Sequence, residues 1–329
     1  MKKLKVGQLG IGHNHALAKL RAVKHFPELF EVVGFAEEDE KWIAERGASY
    51  SDLARYTEDE LIEKCDLLLV ECDVWNLTRK AQKCIDAGKH IHLDKPASGT
   101  MAEFEKLIRD AEAKGLTVQL GYMYRYNYAI LKLMELIGEG KLGEIYQIDA
   151  EMSTYHSDEY RTWLRHFKGG SMYIFGSHLI DLIVGILGEP KNVYPFIKQT
   201  GHNGVFSDDN CFAVLEYDKA LARVTNLSVE VNGWGMRRFA VMGSRGTVEI
   251  KPLEIVTHMT LATADKATNS YADMHEEVDV RDVPGNIRYD DMVKDLYLSA
   301  TGEQPNPYGY ERELAVQRTV LKAIGEKIE

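Results

Sequence analysis

A chain of 329 residues has length enough for two hydrophobic cores, and 45% apolar with 28% charged residues excludes a disordered chain. A formal net charge of -11, with lysines and arginines scattered rather than blocked, argues against nucleic acid or an anionic membrane surface as partner. Cys65, Cys72, Cys84 and Cys211 show no Cys-x-x-Cys spacing, and no apolar run approaches about 18 residues, so free thiols, a cytoplasmic location and no membrane span or leader are expected.

The first 120 residues alternate short apolar runs with longer amphipathic ones, the pattern of βαβ units in an α/β fold. Strands are predicted at 4–9, 31–36, 66–70, 90–93 and 116–120. Helices are predicted at about 15–25, 77–87 and 101–114. Gly88 and Gly115 close the last two, and Thr100 with Glu103 forms a capping box. After Gly121 the texture changes. A helix at 127–137 leads to a strand at 144–154, and a helix at 171–187 lies between glycine-rich breaks. Strand-like runs at 193–200, 210–217, 220–231, 237–242 and 247–250 with short turns suggest an antiparallel meander. Helices at 287–300 and 310–326 close the chain, and domains of 1–122 and 123–329 are expected.

Four segments carry chemistry. In Gly10-Ile11-Gly12-His13-Asn14-His15 the glycines permit a tight turn and close approach to a pyrophosphate at a helix amino terminus, although His15 stands where a third glycine would complete the fingerprint. Glu37, at the end of the second strand, has the spacing of an acid that binds a ribose diol. A carboxylate there repels a 2′-phosphate, and no arginine adjoins it in sequence, so NAD is favoured over NADP. Pro96 restricts Lys95 to extended backbone at a strand end, where a lysine beside a nicotinamide could relay a proton. His178 and Asp181 fall on one face of the helix at 171–187. Such a histidine is more often a core residue, unless it works with Lys95.

In order, these segments resemble the Gfo/Idh/MocA superfamily, with Ala87-Gly88-Lys89-His90 leading to Asp94-Lys95-Pro96, Tyr124-Arg125-Tyr126-Asn127 and Gly176-Ser177-His178-Leu179-Ile180-Asp181 as the strongest matches beside the glycine turn. The resemblance implies a Rossmann doubly wound parallel sheet, then an α+β domain whose large open, mainly antiparallel sheet forms a dimer or tetramer. It implies hydride transfer between NAD(P) and a hydroxyl or carbonyl of a sugar- or cyclitol-like substrate. Lys95 and His178 match the catalytic pair, and Gly10, Ile11, Gly12, His13, Asn14, Glu37, Lys95 and Pro96 the cofactor site. Tyr124, Arg125, His156 and Asp181 are implied in substrate binding, and no metal is expected. One departure matters most. Many relatives carry an aspartate four residues before the histidine, where this chain has Ile174, so either Asp181 or another group substitutes or proton handling differs. That loss keeps two alternatives open: an NAD-using glycoside hydrolase of the same superfamily, and a non-catalytic NAD-binding sensor.

Overall fold

The computed structural model describes residues 2–254, 258–266, 271, 273–280 and 289–328. The chain divides into two compact units, Met1–Met123 with Ile287–Gln317, and Tyr124–Asn286 with Arg318–Glu329.

The first unit alternates strands and helices: β1 (Leu4–Leu9), α1 (Ala16–Lys24), β2 (Phe30–Ala36), α2 (Glu40–Arg46), α3 (Glu58–Lys64), β3 (Leu67–Val70), α4 (Leu77–Asp86), β4 (His90–Leu93), α5 (Met101–Ala113) and β5 (Val118–Leu120). Its five strands are parallel in the order β2-β1-β3-β4-β5. The Leu-Leu-Leu-Val run of β3 is buried throughout, as a strand covered on both faces requires. Strand order reverses between β1 and β3, and in such sheets the crevice at that switch point receives ligands. Gly10 lies there with φ 89°, and a Cβ on it would sit 2.5 Å from the Cys72 Cα. Only glycine lets the exit of β1 pass so close to the exit of β3.

The second unit holds α6 (Tyr128–Gly138), β6 (Ile145–Glu151), α7 (Asp158–Leu164), α8 (Ser177–Leu187), β7 (Asn192–Lys198), β8 (Asn210–Glu216), β9 (Leu221–Leu227), α9 (Gly233–Met236), β10 (Arg238–Gly243), β11 (Gly246–Ile250), β12 (His258–Thr263) and β13 (Glu276–Asp279). Its eight-stranded sheet runs β13-β12-β11-β10-β6-β9-β8-β7. The expected meander needs correction here. β6 is inserted between β10 and β9 and pairs parallel to β9, while the other pairings are antiparallel.

The chain ends in α10 (Asp290–Ala300) and α11 (Tyr310–Ala323). Residues 287 and 288 of the helix expected at 287–300 lie outside the described residues. The first unit is not the single segment 1–122, because α10 belongs to it. Gln119 Nε2 on β5 donates to the Met292 carbonyl at 2.9 Å, and the Tyr297 hydroxyl donates to the Lys2 carbonyl at 3.1 Å. Among the described residues no helix is long and apolar enough to cross a membrane.

Candidate functional site

In the first unit the predicted cofactor residues surround the exit of β1. Ile11 is fully buried in a core with Leu20, Phe35 and Tyr50, so only its backbone can face a ligand. Its N–H donates to Glu37 Oε2 at 2.9 Å, and Glu37 Oε1 accepts the Asp39 N–H at 3.0 Å. Glu37 therefore ties the end of β2 to the glycine turn. The His13 N–H donates to the Glu71 carbonyl at 2.9 Å. Trp42 lies against Gly12, where a Cβ would be 2.7 Å from the indole Nε1, and that Nε1 donates to Asp73 Oδ2 at 2.9 Å. Arg46 Nη1 donates to the carbonyls of Ile11, Gly12 and His13 at 3.1, 2.9 and 2.8 Å, and Nη2 donates to the Asn14 side-chain oxygen at 3.1 Å.

Space departs from sequence at Glu37. Arg55 donates to its carbonyl through Nη2 at 2.7 Å and to Glu40 at 2.7 Å, so an arginine does stand beside the acid.

Lys95 follows β4 and is 4% exposed. Its peptide bond to Pro96 is cis, and its N–H donates to Asp94 Oδ1 at 2.7 Å. The other oxygen of Asp94 meets His13 Nδ1 at 2.8 Å, His15 Nδ1 at 3.2 Å and Lys19 Nζ at 2.7 Å. Lys19 also lies 3.1 Å from Glu71, which closes β3, and His92 Nε2 is 3.6 Å from the same carboxyl oxygen. Gly121 makes room for this cluster, since a Cβ there would be 2.7 Å from both Asp94 Oδ1 and Lys19 Nζ.

Burial sets the protonation of the cluster. Desolvation, then the neighbouring Asp94 charge, raises the Glu71 carboxyl well above the ordinary carboxylate range. Burial would raise Asp94 too, but His13, Lys19 and His15 hold it well below that range. His15 is lowered to about 4 and His92 to about 3, both chiefly by burial, so these imidazoles are neutral at pH 7. Lys19 stays charged because Asp94 and Glu71 outweigh the burial that would lower it. Sequence reading took His13 as a cofactor contact and Asp94 as a neighbour of Lys95. It missed Lys19, Glu71 and His92, whose convergence depends on parallel strands ending together.

In the second unit His178 is 3% exposed at the start of α8, directly after a π-helical turn over Met172–Gly176. The Ser177 N–H donates to the Met172 carbonyl there, so the helix predicted at 171–187 is not a plain α-helix before His178. Such π turns are frequent at functional sites. The Tyr124 ring meets the imidazole edge to face at 5.0 Å, and its hydroxyl bonds Glu254. Glu254 also pairs with Arg237.

Asp181 is committed to Arg125. Arg125 Nε donates to its two oxygens at 3.1 and 3.0 Å, and Nη2 donates to Oδ1 at 2.6 Å. The side chains of this pair are 1% and 0% exposed. Ile174, in the π-helical turn before His178, is 5% exposed. His156 packs near-parallel to Tyr160 and to Phe175, with ring centroids at 4.4 and 4.9 Å, and burial, then Arg237, lowers it to about 4.

Comparison with known proteins matches residues 4–122 to the profile described as "Oxidoreductase family, NAD-binding Rossmann fold" and residues 130–249 to the "GFO/IDH/MocA C-terminal domain". The chain belongs to the Gfo/Idh/MocA family. It is 30% identical over 174 residues to scyllo-inositol 2-dehydrogenase (NADP(+)) IolW of Bacillus subtilis, covering 52% of this chain and 47% of that protein. It is 31% identical over 173 residues to the oxidoreductase YhhX of Escherichia coli, covering 51% of this chain and 47% of that one. The chain thus spans about half the length of these curated relatives. Among solved structures, levoglucosan dehydrogenase in complex with NADH and levoglucosan shares the fold at a TM-score of 0.82 with 16% identity, covering 98% of each chain. The WlbA dehydrogenase of Bordetella pertussis, in complex with NADH and UDP-GlcNAcA, does so at 0.81 with 16% identity, covering 98% and 95%. The Rossmann sheet and the open second sheet expected from the sequence are both present.

Proposed function

We propose that the chain is an NAD-dependent dehydrogenase or reductase acting on a hydroxyl or carbonyl of a sugar- or cyclitol-like molecule. One observation carries this reading. The exits of β1, β2 and β4 hold a glycine turn, a carboxylate tied to that turn and a buried lysine, at one end of a family-typical Rossmann sheet. These residues fit a dinucleotide. Gly10 and Gly12 leave backbone where a Cβ would collide, and each Glu37 oxygen keeps a lone pair beyond its one amide for a ribose hydroxyl.

In this reading the amides of Gly12 and Asn14, ahead of α1, hold the diphosphate, and Pro96 fixes the course of the chain beside Lys95. Bound nicotinamide would supply the hydride acceptor or donor. Lys95 stabilises the oxygen that gains or loses a proton, and His178 is the acid/base. Arg125, Tyr124, His156 and Asp181 shape the substrate side. The relatives named for scyllo-inositol and levoglucosan support the substrate class. A thermal-shift screen of sugars, cyclitols and sugar acids with NAD, followed by absorbance of reduced nicotinamide, tests the activity. Cofactor binding without turnover across the panel would favour a sensor.

NAD is expected to bind at least ~10-fold more tightly than NADP, because the Glu37 carboxylate would repel a 2′-phosphate while Arg55 is already paired with Glu40. Calorimetry with both cofactors decides, and equal affinity or NADP preference removes Glu37 from that role.

A homo-oligomer through the second sheet completes the proposal. Tyr194 and Phe196 of β7 and Leu221 of β9 are 47%, 55% and 53% exposed, an apolar surface that a second copy would cover. Phe196→Glu is expected to lower the mass measured by light scattering, and an unchanged mass would place any interface elsewhere.

A further inference from the structure

We infer that His13, His15 and Asp94 form a binding site for one divalent transition-metal ion of the zinc type. The inference stands apart from the oxidoreductase reading, and it revises the expectation that the chain has no metal site. It rests on atoms that crowd one point with no satisfactory arrangement of protons.

Asp94 Oδ2 faces two imidazole nitrogens and an ammonium, at 2.8, 3.2 and 2.7 Å. A carboxylate oxygen offers about two lone-pair sites, so three donors exceed its capacity. The conflict is sharper at His13. Its Nδ1 lies 2.8 Å from Asp94 Oδ2, which demands a proton on that nitrogen. The same Nδ1 accepts the His15 N–H at 3.3 Å, which demands a lone pair. One atom cannot satisfy both. A cation bound by the lone pairs of both Nδ1 atoms and by Asp94 Oδ2 removes the contradiction.

The distances suit that exchange. Donor atoms about 2 Å from one ion lie roughly 3–3.4 Å apart. The two imidazole-to-carboxylate separations are close to this, and the three ligand atoms all fall within 4.8 Å of one another. Two imidazoles and one carboxylate are a donor set suited to zinc-like ions with an open coordination position. The surroundings support the ligands as well. Asp94 Oδ1 is fixed by the Lys95 N–H at 2.7 Å, and Lys19 holds Asp94 and Glu71 together.

The test is made on the full chain without nicotinamide, so that its result does not depend on the dehydrogenase proposal. Protein stripped with a chelator is titrated with Zn²⁺ by calorimetry, and its melting temperature is followed with and without Zn²⁺. One ion per chain and a Zn²⁺-dependent rise in melting temperature are expected. Co²⁺ in its place should give visible absorption bands of a low-symmetry site. His15→Ala, whose side chain keeps 26% exposure and so leaves the fold least disturbed, should weaken Zn²⁺ binding at least ~100-fold. Asp94→Asn should do the same, while His275→Ala on the surface should leave binding unchanged. Absence of Zn²⁺ binding to the stripped wild type, or wild-type affinity in a folded His15→Ala chain, would overturn the assignment.

Discussion

Lys95→Met is expected to lower turnover by about 10²–10⁴-fold while leaving the affinity for NAD within a few-fold of wild type. The lysine is 4% exposed, and its backbone is fixed independently by the Asp94 carboxylate. Methionine keeps the length and much of the volume of the side chain and removes only the ammonium. A thermal melt of the variant beside wild type separates this loss from any effect on folding. The loss should therefore fall on kcat, because a proton-handling group matters more in the transition state than in the bound ground state. Lys95→Arg should recover little, since the forked guanidinium cannot place its charge where the ammonium stood. Steady-state kinetics on the substrate found by the screen, with NAD titrations of each variant, measure both effects. A methionine variant with near-normal kcat would reduce Lys95 to a packing residue.

Much of the fold was legible because burial on both faces writes continuous apolar runs. β1, β3 and β4 fall almost where such runs place them. α2 was missed because its 7 residues bury none fully and set just Trp42 and Ile43 against the core, too short a stripe to show a helical period. α3 left a local signal that could have been used, since Thr57 and Glu60 form a capping box. The parallel pairing of β6 with β9 could not be read locally, because β9 looks the same to its own residues whichever strand lies beside it. The site divides in the same way. Gly10, Gly12, Glu37 and Lys95 announce themselves by type and spacing, whereas Lys19 and Glu71 carry no motif and matter only through Asp94. The sequence-level suggestion that Asp181 serves His178 met a partner no spacing could reveal, because Arg125 lies 56 residues away along the chain.

That pair yields the second large effect. Arg125→Met should destabilise the protein by about 3–5 kcal/mol, because it leaves the Asp181 carboxylate buried without its guanidinium. For a unit of this size, such a change corresponds to a fall in melting temperature of roughly 6–20 °C. Asp181→Leu should cost a similar amount by stranding Arg125 in turn. The double variant Arg125→Met/Asp181→Leu should regain most of the loss, since an apolar pair of similar volume avoids the desolvation cost of both charges. Thermal melts of the four proteins form a double-mutant cycle that isolates the interaction. A substrate-binding role makes a different pattern: KM would rise in the single variants, the double variant would not recover it, and stability would change little. If the melts show strong coupling and KM stays lost in the double variant, the pair both holds the second unit together and presents Arg125 to the substrate. If the melts are flat, the bidentate contact contributes nothing to folding, and its conformation in solution differs from the one described.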